Sequence, residues 1–284
     1  MLTRTAMISV TLLAVLLTAA CGDNSRQNDA GSAVADGATD SMDRQVDTVA
    51  IPVPPAEHKV AIGDEDLTFH VGPHLMHTTT TSVALIWESE EAGSTRVEYG
   101  ATEAYGSQVE GPAGTMHEVV ISGLEPATSY HYRACTDERC TADLRFSTAP
   151  LPGQKFRMAV YGDSRSDPAA HGAVSQSMID DKPALVLNVG DIVLSGERPE
   201  YKTEHFDPSR QLGHHVPIYV AIGNHEWKES EGLSEPDVPN FREYMAFPVV
   251  PEHRVPELSY SFTFGDVFVL VVDNTLDGGD VFFS

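Results

Sequence analysis

The sequence predicts two folded domains, an all-β sandwich followed by an α/β domain, and three observations carry that division. Short segments of apolar–polar alternation recur between about residues 64 and 149, the period of half-buried strands. After the linker Ala149-Pro150-Leu151-Pro152-Gly153 the pattern changes to near-continuous apolar runs, as expected of strands buried on both faces. Three of those runs end in Gly162-Asp163, Gly190-Asp191 and Gly223-Asn224-His225-Glu226. Polar side chains therefore collect at the carboxyl ends of strands, where open α/β sheets bind ligands.

Residues 1–21 read as an export signal outside the fold. Arg4 supplies a positive start, Ala6 to Leu17 an apolar run too short to span a bilayer comfortably, and Thr18, Ala19 and Ala20 precede Cys21. This resembles a bacterial lipoprotein signal with Cys21 as the lipidation site, although Leu17 stands four residues before the cysteine where three is usual. A plain secretory signal is the alternative. The expected location is the periplasmic or cell-surface face of a bacterial membrane, with the membrane touched through the lipid alone. Residues 22–60 are rich in Ala, Asp, Ser and Gly and end near Pro52-Val53-Pro54-Pro55, a composition that predicts a disordered acidic tether.

The net charge of -24 over 284 residues argues against nucleic acid, whose binding needs cations on the phosphates. It argues equally against adsorption to anionic lipid. With Cys21 lipidated, Cys135 and Cys140 remain as an even pair around the polar Thr136-Asp137-Glu138-Arg139. Facing positions in a hairpin bring such a pair within disulfide reach in an oxidising compartment. Two free thiols are the alternative.

In the β domain, residues 61–149, strands are expected at Ser82–Trp87, Ser94–Tyr99, His117–Ile121, Tyr130–Ala134 and Ala142–Phe146. Gly123-Leu124-Glu125-Pro126-Ala127-Thr128-Ser129-Tyr130 resembles the tyrosine corner of fibronectin type III domains, which implies a bond from the Tyr130 hydroxyl to upstream backbone. Trp87 then stands where the core tryptophan of such a sandwich belongs. Gly72-Pro73-His74-Leu75 and Val97-Glu98-Tyr99-Gly100 further resemble the domain that precedes the catalytic domain in purple acid phosphatases. No chemistry is expected of this domain.

In the α/β domain, residues 154–284, strands are expected at Phe156–Tyr161, Ala184–Val189 and Val216–Ala221, and a hairpin at Ser259–Phe264 and Val267–Val272. A helix over Ala169–Ile179 places Val174 and Met178 at helical spacing, with Pro168 at its start. Asp163, Asp191, Asn224 and His225 at successive strand ends resemble the calcineurin-like metallophosphoesterases, of which purple acid phosphatases are a branch. The resemblance implies an αββα metallophosphatase with two divalent or Fe/Zn/Mn-type ions hydrolysing phosphate esters. It makes Asp163 a ligand of the first metal, Asp191 the bridge and Asn224 a ligand of the second. His225 would orient phosphate or donate a proton to the leaving group.

Three departures accompany the likeness. The first motif reads Asp163-Ser164-Arg165 where the family has Asp-x-His or Asp-x-Gly, so Arg165 is read as a phosphate clamp or as a salt-bridge partner of Asp167. Leu194 stands where purple enzymes carry an iron-binding tyrosine, and His171 is an additional candidate ligand or phosphate contact. His214 and His215 read as a solvated pair. Finally, the family continues with an isolated metal-binding His and then Gly-His-x-His, and no Gly-His-x-His follows Asn224. The expectation is an incomplete, C-terminally truncated domain with inactive or feeble turnover. Phosphodiester or nucleotide hydrolysis by the same fold, a non-catalytic surface-binding lipoprotein and a decayed gene product are the rival readings.

Overall fold

The computed structural model describes residues 13–17, 68–227, 238–245 and 258–273. Cys21 and the tether read over residues 22–60 lie outside the described residues. Strand β1 (Leu13–Leu17) pairs in parallel with residues 267–271, the last strand among the described residues.

The β domain holds β2 (Val71–Met76), β3 (Ser82–Gly100), β4 (Ser107–Ser122), β5 (Ser129–Thr136), β6 (Arg139–Cys140) and β7 (Leu144–Ser147). The two strands expected at residues 82–87 and 94–99 are one long strand, with register shifts between Glu88 and Thr95. Its first part pairs with β2 and the end of β4, and its second part with the start of β4 and with β5, all antiparallel. Bulges let a strand bend and contribute to two faces of one core. That core gathers Leu75, Val83, Leu85, Trp87, Val97, Val119, Ile121, Tyr132, Ala134 and Phe146, the alternate positions the apolar pattern marks.

Trp87 is fully buried; its Nε1 donates to Thr136 Oγ1 at 2.9 Å, and its ring stacks on His117 with centroids 4.9 Å apart. The Tyr130 hydroxyl accepts the backbone N–H of Glu125 at 2.9 Å, as the corner motif implies. Cys135 and Cys140 face each other across β5 and β6 and form a disulfide with Cα atoms 4.1 Å apart.

The second domain runs β8 (Met158–Tyr161), α1 (Pro168–Asp181), β9 (Leu185–Asn188), α2 (Arg198–Glu200), a π-helical stretch Tyr201–Phe206, α3 (Asp207–Gly213), β10 (Ile218–Val220) and α4 (Pro239–Tyr244). The hairpin β11 (Tyr260–Phe264) and β12 (Val267–Val271) follows. Strands β8, β9 and β10 form a parallel sheet in sequence order, with the helical segments as crossovers. β11 packs over β10: the Tyr219 and Phe262 rings stack at 3.9 Å, and the Tyr260 hydroxyl donates to Val220 O at 3.0 Å. Helix α1 starts where Asp167 accepts the N–H of Ala170, with Pro168 in the first turn. Its buried face is His171, Ser175 and Met178; Val174, expected beside Met178, is 45% exposed.

The domains share a core. Val71, Met76, Ala84 and Ile86 join the apolar cluster of Leu185–Leu187 and Ile218–Ile222. Arg210, 2% exposed, pairs with Asp207 and donates to the carbonyls of Phe69, His70 and Gly72. The reading of His214 and His215 as a solvated pair is corrected here. His214 is buried with its carbonyl accepting the Tyr132 hydroxyl at 2.7 Å, and His215 Nδ1 lies 2.8 Å from Arg145 O. Both histidines belong to the domain junction, which no local pattern announces.

Candidate metal centre

Asp163 follows β8 through Gly162, Asp191 follows β9 through Gly190, and Asn224 and His225 follow β10 through Gly223. Because the three strands are parallel neighbours, their turns open on one sheet end. The Asp163 N–H donates to Gly190 O at 2.9 Å, which joins the first turn to the second. Asp163 and Asp191 themselves hold left-handed backbones, with φ of 54° and 58°, a region aspartate enters more readily than most side chains. The sharp turns are thus shared between glycine and aspartate.

Gly223 is required by close approach. A Cβ there would lie 2.2 Å from Asp191 Oδ1, so only glycine lets the third turn close over that carboxylate. The His225 N–H reaches the same Oδ1 at 3.2 Å, and His225 Nδ1 lies 2.6 Å from Leu194 O. Asn224 sits between these two residues. Three turns therefore meet around Asp191.

Glu226 does what the sequence reading missed. Its buried carboxyl accepts backbone N–H groups from both neighbouring turns. Gly223 donates at 2.6 Å, Ile192 at 2.8 Å, Asp191 at 3.2 Å and Val193 at 3.3 Å. Burial pushes its pKa up to about 7, opposed by the bond from Gly223 and reinforced by the Asp191 charge. The signal available in sequence was only its place in Gly-Asn-His-Glu.

Arg165 lies among the aspartates. Its Nη1 donates to Asp191 Oδ2 at 2.9 Å and also contacts Asp163 Oδ1. It does not pair with Asp167, whose carboxylate caps α1. His171, the additional candidate, is buried, with Nδ1 2.7 Å from Glu204 O and Nε2 3.2 Å from the Tyr161 hydroxyl. Both ring nitrogens are committed to packing α1 against its neighbours, and burial lowers its pKa.

Asp163 and Asp191 offer carboxylate oxygens and Asn224 an amide oxygen, a donor set that suits hard or borderline divalent cations. The absence of a side chain at Gly223 leaves room for Asp191 Oδ1, which a Cβ there would meet at 2.2 Å. The donor chemistry thus fits a metal. A separate trio in the β domain, Glu103, His131 and Asp143, brings ligand atoms within 4.8 Å of one another. There His131 and Asp143 already pair at 2.8 Å near the surface.

Residues 71–148 match the family model described as purple acid phosphatase, N-terminal domain, and residues 157–282 match that of the calcineurin-like phosphoesterases. The chain is 28% identical over 199 residues to purple acid phosphatase 23 of Arabidopsis thaliana, covering 58% of this chain and 42% of that protein. Purple acid phosphatase 15 of the same plant is 26% identical over 224 residues, covering 65% and 39%. The chain thus spans about two-fifths of the length of these curated relatives. Among solved structures, PhoD superimposes with a TM-score of 0.56 at 18% identity, over 75% of this chain and 53% of that one. The purple acid phosphatase PPD1 from yellow lupin (Lupinus luteus) gives 0.50 at 18% identity, over 68% and 43%. These two share the fold.

A sheet-rich domain followed by a parallel sheet with acidic strand ends is thereby placed in its class, the metallophosphatase fold. Its two parts are similar to the N-terminal domain of purple acid phosphatases and to the calcineurin-like phosphoesterases, and likeness to that family implies a dinuclear metal centre.

Proposed function

We propose that this protein hydrolyses phosphate monoesters with the help of metal ions held by Asp163, Asp191 and Asn224. The observation that carries the reading is the meeting of three strand-end turns around the Asp191 carboxylate, with the Gly223–His225 turn closed over it. Asp163 would hold one ion, Asp191 both, and Asn224 the second. Bound ions would activate water and offset charge on the phosphate oxygens. His225 is fixed through Nδ1 on Leu194 O, a contact that sets the ring's orientation for phosphate or a leaving group. Arg165 brings a fork of donors to the mouth of the cleft, suited to phosphate oxygens.

The finer reading includes a fibronectin III-like front domain and export with lipidation at Cys21. The Tyr130 corner and the Cys135–Cys140 disulfide support these, since disulfides persist in oxidising compartments.

The test titrates Mn²⁺ or Zn²⁺ into the purified protein and into Asp191→Asn, followed by assay with p-nitrophenyl phosphate. Metal binding that Asp191→Asn weakens at least tenfold, with metal-dependent phosphate release, is expected. Metal binding indifferent to Asp191→Asn would overturn the reading.

A further inference from the structure

We propose that Arg165 is an exchangeable counter-ion of the metal centre. Its guanidinium holds Asp163 and Asp191 together in the metal-free protein, and the first divalent cation displaces it. The inference rests on the reading of these carboxylates as metal ligands.

One nitrogen of Arg165 contacts both carboxylates, Asp191 Oδ2 at 2.9 Å and Asp163 Oδ1. A single cationic group between two anions does the electrostatic work of a bridging ion. Side-chain exposure is 13% for Asp191 and 21% for Arg165, so water screens this pair only in part. A guanidinium stays charged at any working pH and has no acceptor lone pair. It therefore cannot join a metal's ligand shell, and on these oxygens metal and guanidinium exclude one another.

The surroundings make exchange a side-chain event. Beyond Arg165, the Ser166 N–H donates to Glu204 Oε2 at 3.2 Å, and Asp167 is held at the start of α1. The backbone on that side is anchored. Asp163 is 75% exposed, so its side of the contact opens to solvent and the guanidinium has a way out.

Two consequences follow. Metal must compete with the paired state, so apparent affinity falls by the fraction of molecules in which Arg165 is away; one in ten would weaken binding tenfold. A displaced guanidinium at the cleft mouth is also a phosphate-binding fork. Phosphate that engages it keeps it off the carboxylates, so phosphate and metal should each tighten the other's binding, as linkage requires.

The experiment is calorimetric titration of Mn²⁺ into the full chain and into Arg165→Ala, each with and without inorganic phosphate. Arg165→Ala is expected to bind Mn²⁺ about tenfold more tightly than the wild type, and phosphate is expected to tighten Mn²⁺ binding in the wild type more than in the variant. Arg165→Gln, which keeps length and donors but no charge, serves if Arg165→Ala does not fold. Equal or weaker Mn²⁺ binding by the uncharged variants overturns the proposal alone when the wild type binds Mn²⁺. If neither wild type nor variant binds Mn²⁺, the metal-centre reading falls with it.

Discussion

The backbone N–H of Ile192 donates to Glu226 Oε1 at 2.8 Å, so the turn that carries Asp191 is pinned to the turn that carries Asn224 and His225. The same carboxyl takes the N–H of Gly223 at 2.6 Å. A buried acid thus acts as the common anchor for two segments far apart in sequence. Its acceptors replace the water those N–H groups would otherwise need.

Glu226→Gln tests that anchor. The amide keeps the volume but turns one acceptor into a donor aimed at backbone N–H groups, at a cost of about 1–3 kcal/mol. Denaturant midpoints should fall accordingly. Mn²⁺ affinity should fall as well, because Asp191 and Asn224 lose their shared register. Unchanged Mn²⁺ affinity would reduce Glu226 to a purely structural role.

Gly223→Ala addresses close approach. The new methyl would meet Asp191 Oδ1 at 2.2 Å, so the carboxylate or the turn must move. A displacement near 1 Å at a reacting site can cost on the order of a hundredfold in rate. Phosphate-ester hydrolysis and metal affinity should drop steeply while far-ultraviolet circular dichroism stays native-like. Retained metal affinity would show that the turn has room to shift.

Acid should loosen the domain junction. Burial lowers the pKa of His205 to about 3 and that of His74 well below the ordinary 6.5, with neighbouring His and, for His74, Arg210 adding to the effect. The unfolded chain therefore takes up protons first. Stability from these groups is fully present above about pH 6.5 and is lost progressively down to about pH 3. The loss should total on the order of a few kcal/mol, read as a urea midpoint that falls between pH 7 and pH 5. His205→Leu should flatten that dependence; an unaltered slope would assign it to other groups.

Arg210→Ala tests the join between domains. It strips three carbonyls of a buried donor and leaves Asp207 with Lys202 as its remaining cationic partner among the described residues. Leaving buried carbonyls without their donor costs about 1–3 kcal/mol. Calorimetry should show either a much lower transition or two transitions as the domains uncouple. A single transition at the wild-type temperature would mean that the shared apolar core carries the junction alone.

Much of the fold is legible in the chain. Alternation at Val83, Leu85 and Trp87, and at Val119 and Ile121, marks the buried positions of β3 and β4, because a pleated strand repeats every two residues. The join of two expected strands into one long bent β3 was not legible, since a bulge depends on both partners across the ladder. Val174 shows the same limit on a helix. Its spacing from Met178 fits an apolar face, yet α1 turns His171 and Ser175 inward beside Met178.

By itself the sequence determined the order of the two domains, the apolar strands of the second, and the oxygen-bearing residues Asp163, Asp191 and Asn224 that close them. Those features are local, written in periodicity and in residues next to one another in the chain. The tertiary structure alone decided that Arg165 lies between Asp163 and Asp191, that Glu226 ties two turns together, and that His171 and His214 are buried. Each of those outcomes depends on which groups from distant segments arrive within hydrogen-bond reach. Strand packing fixes that proximity, and sequence spacing does not.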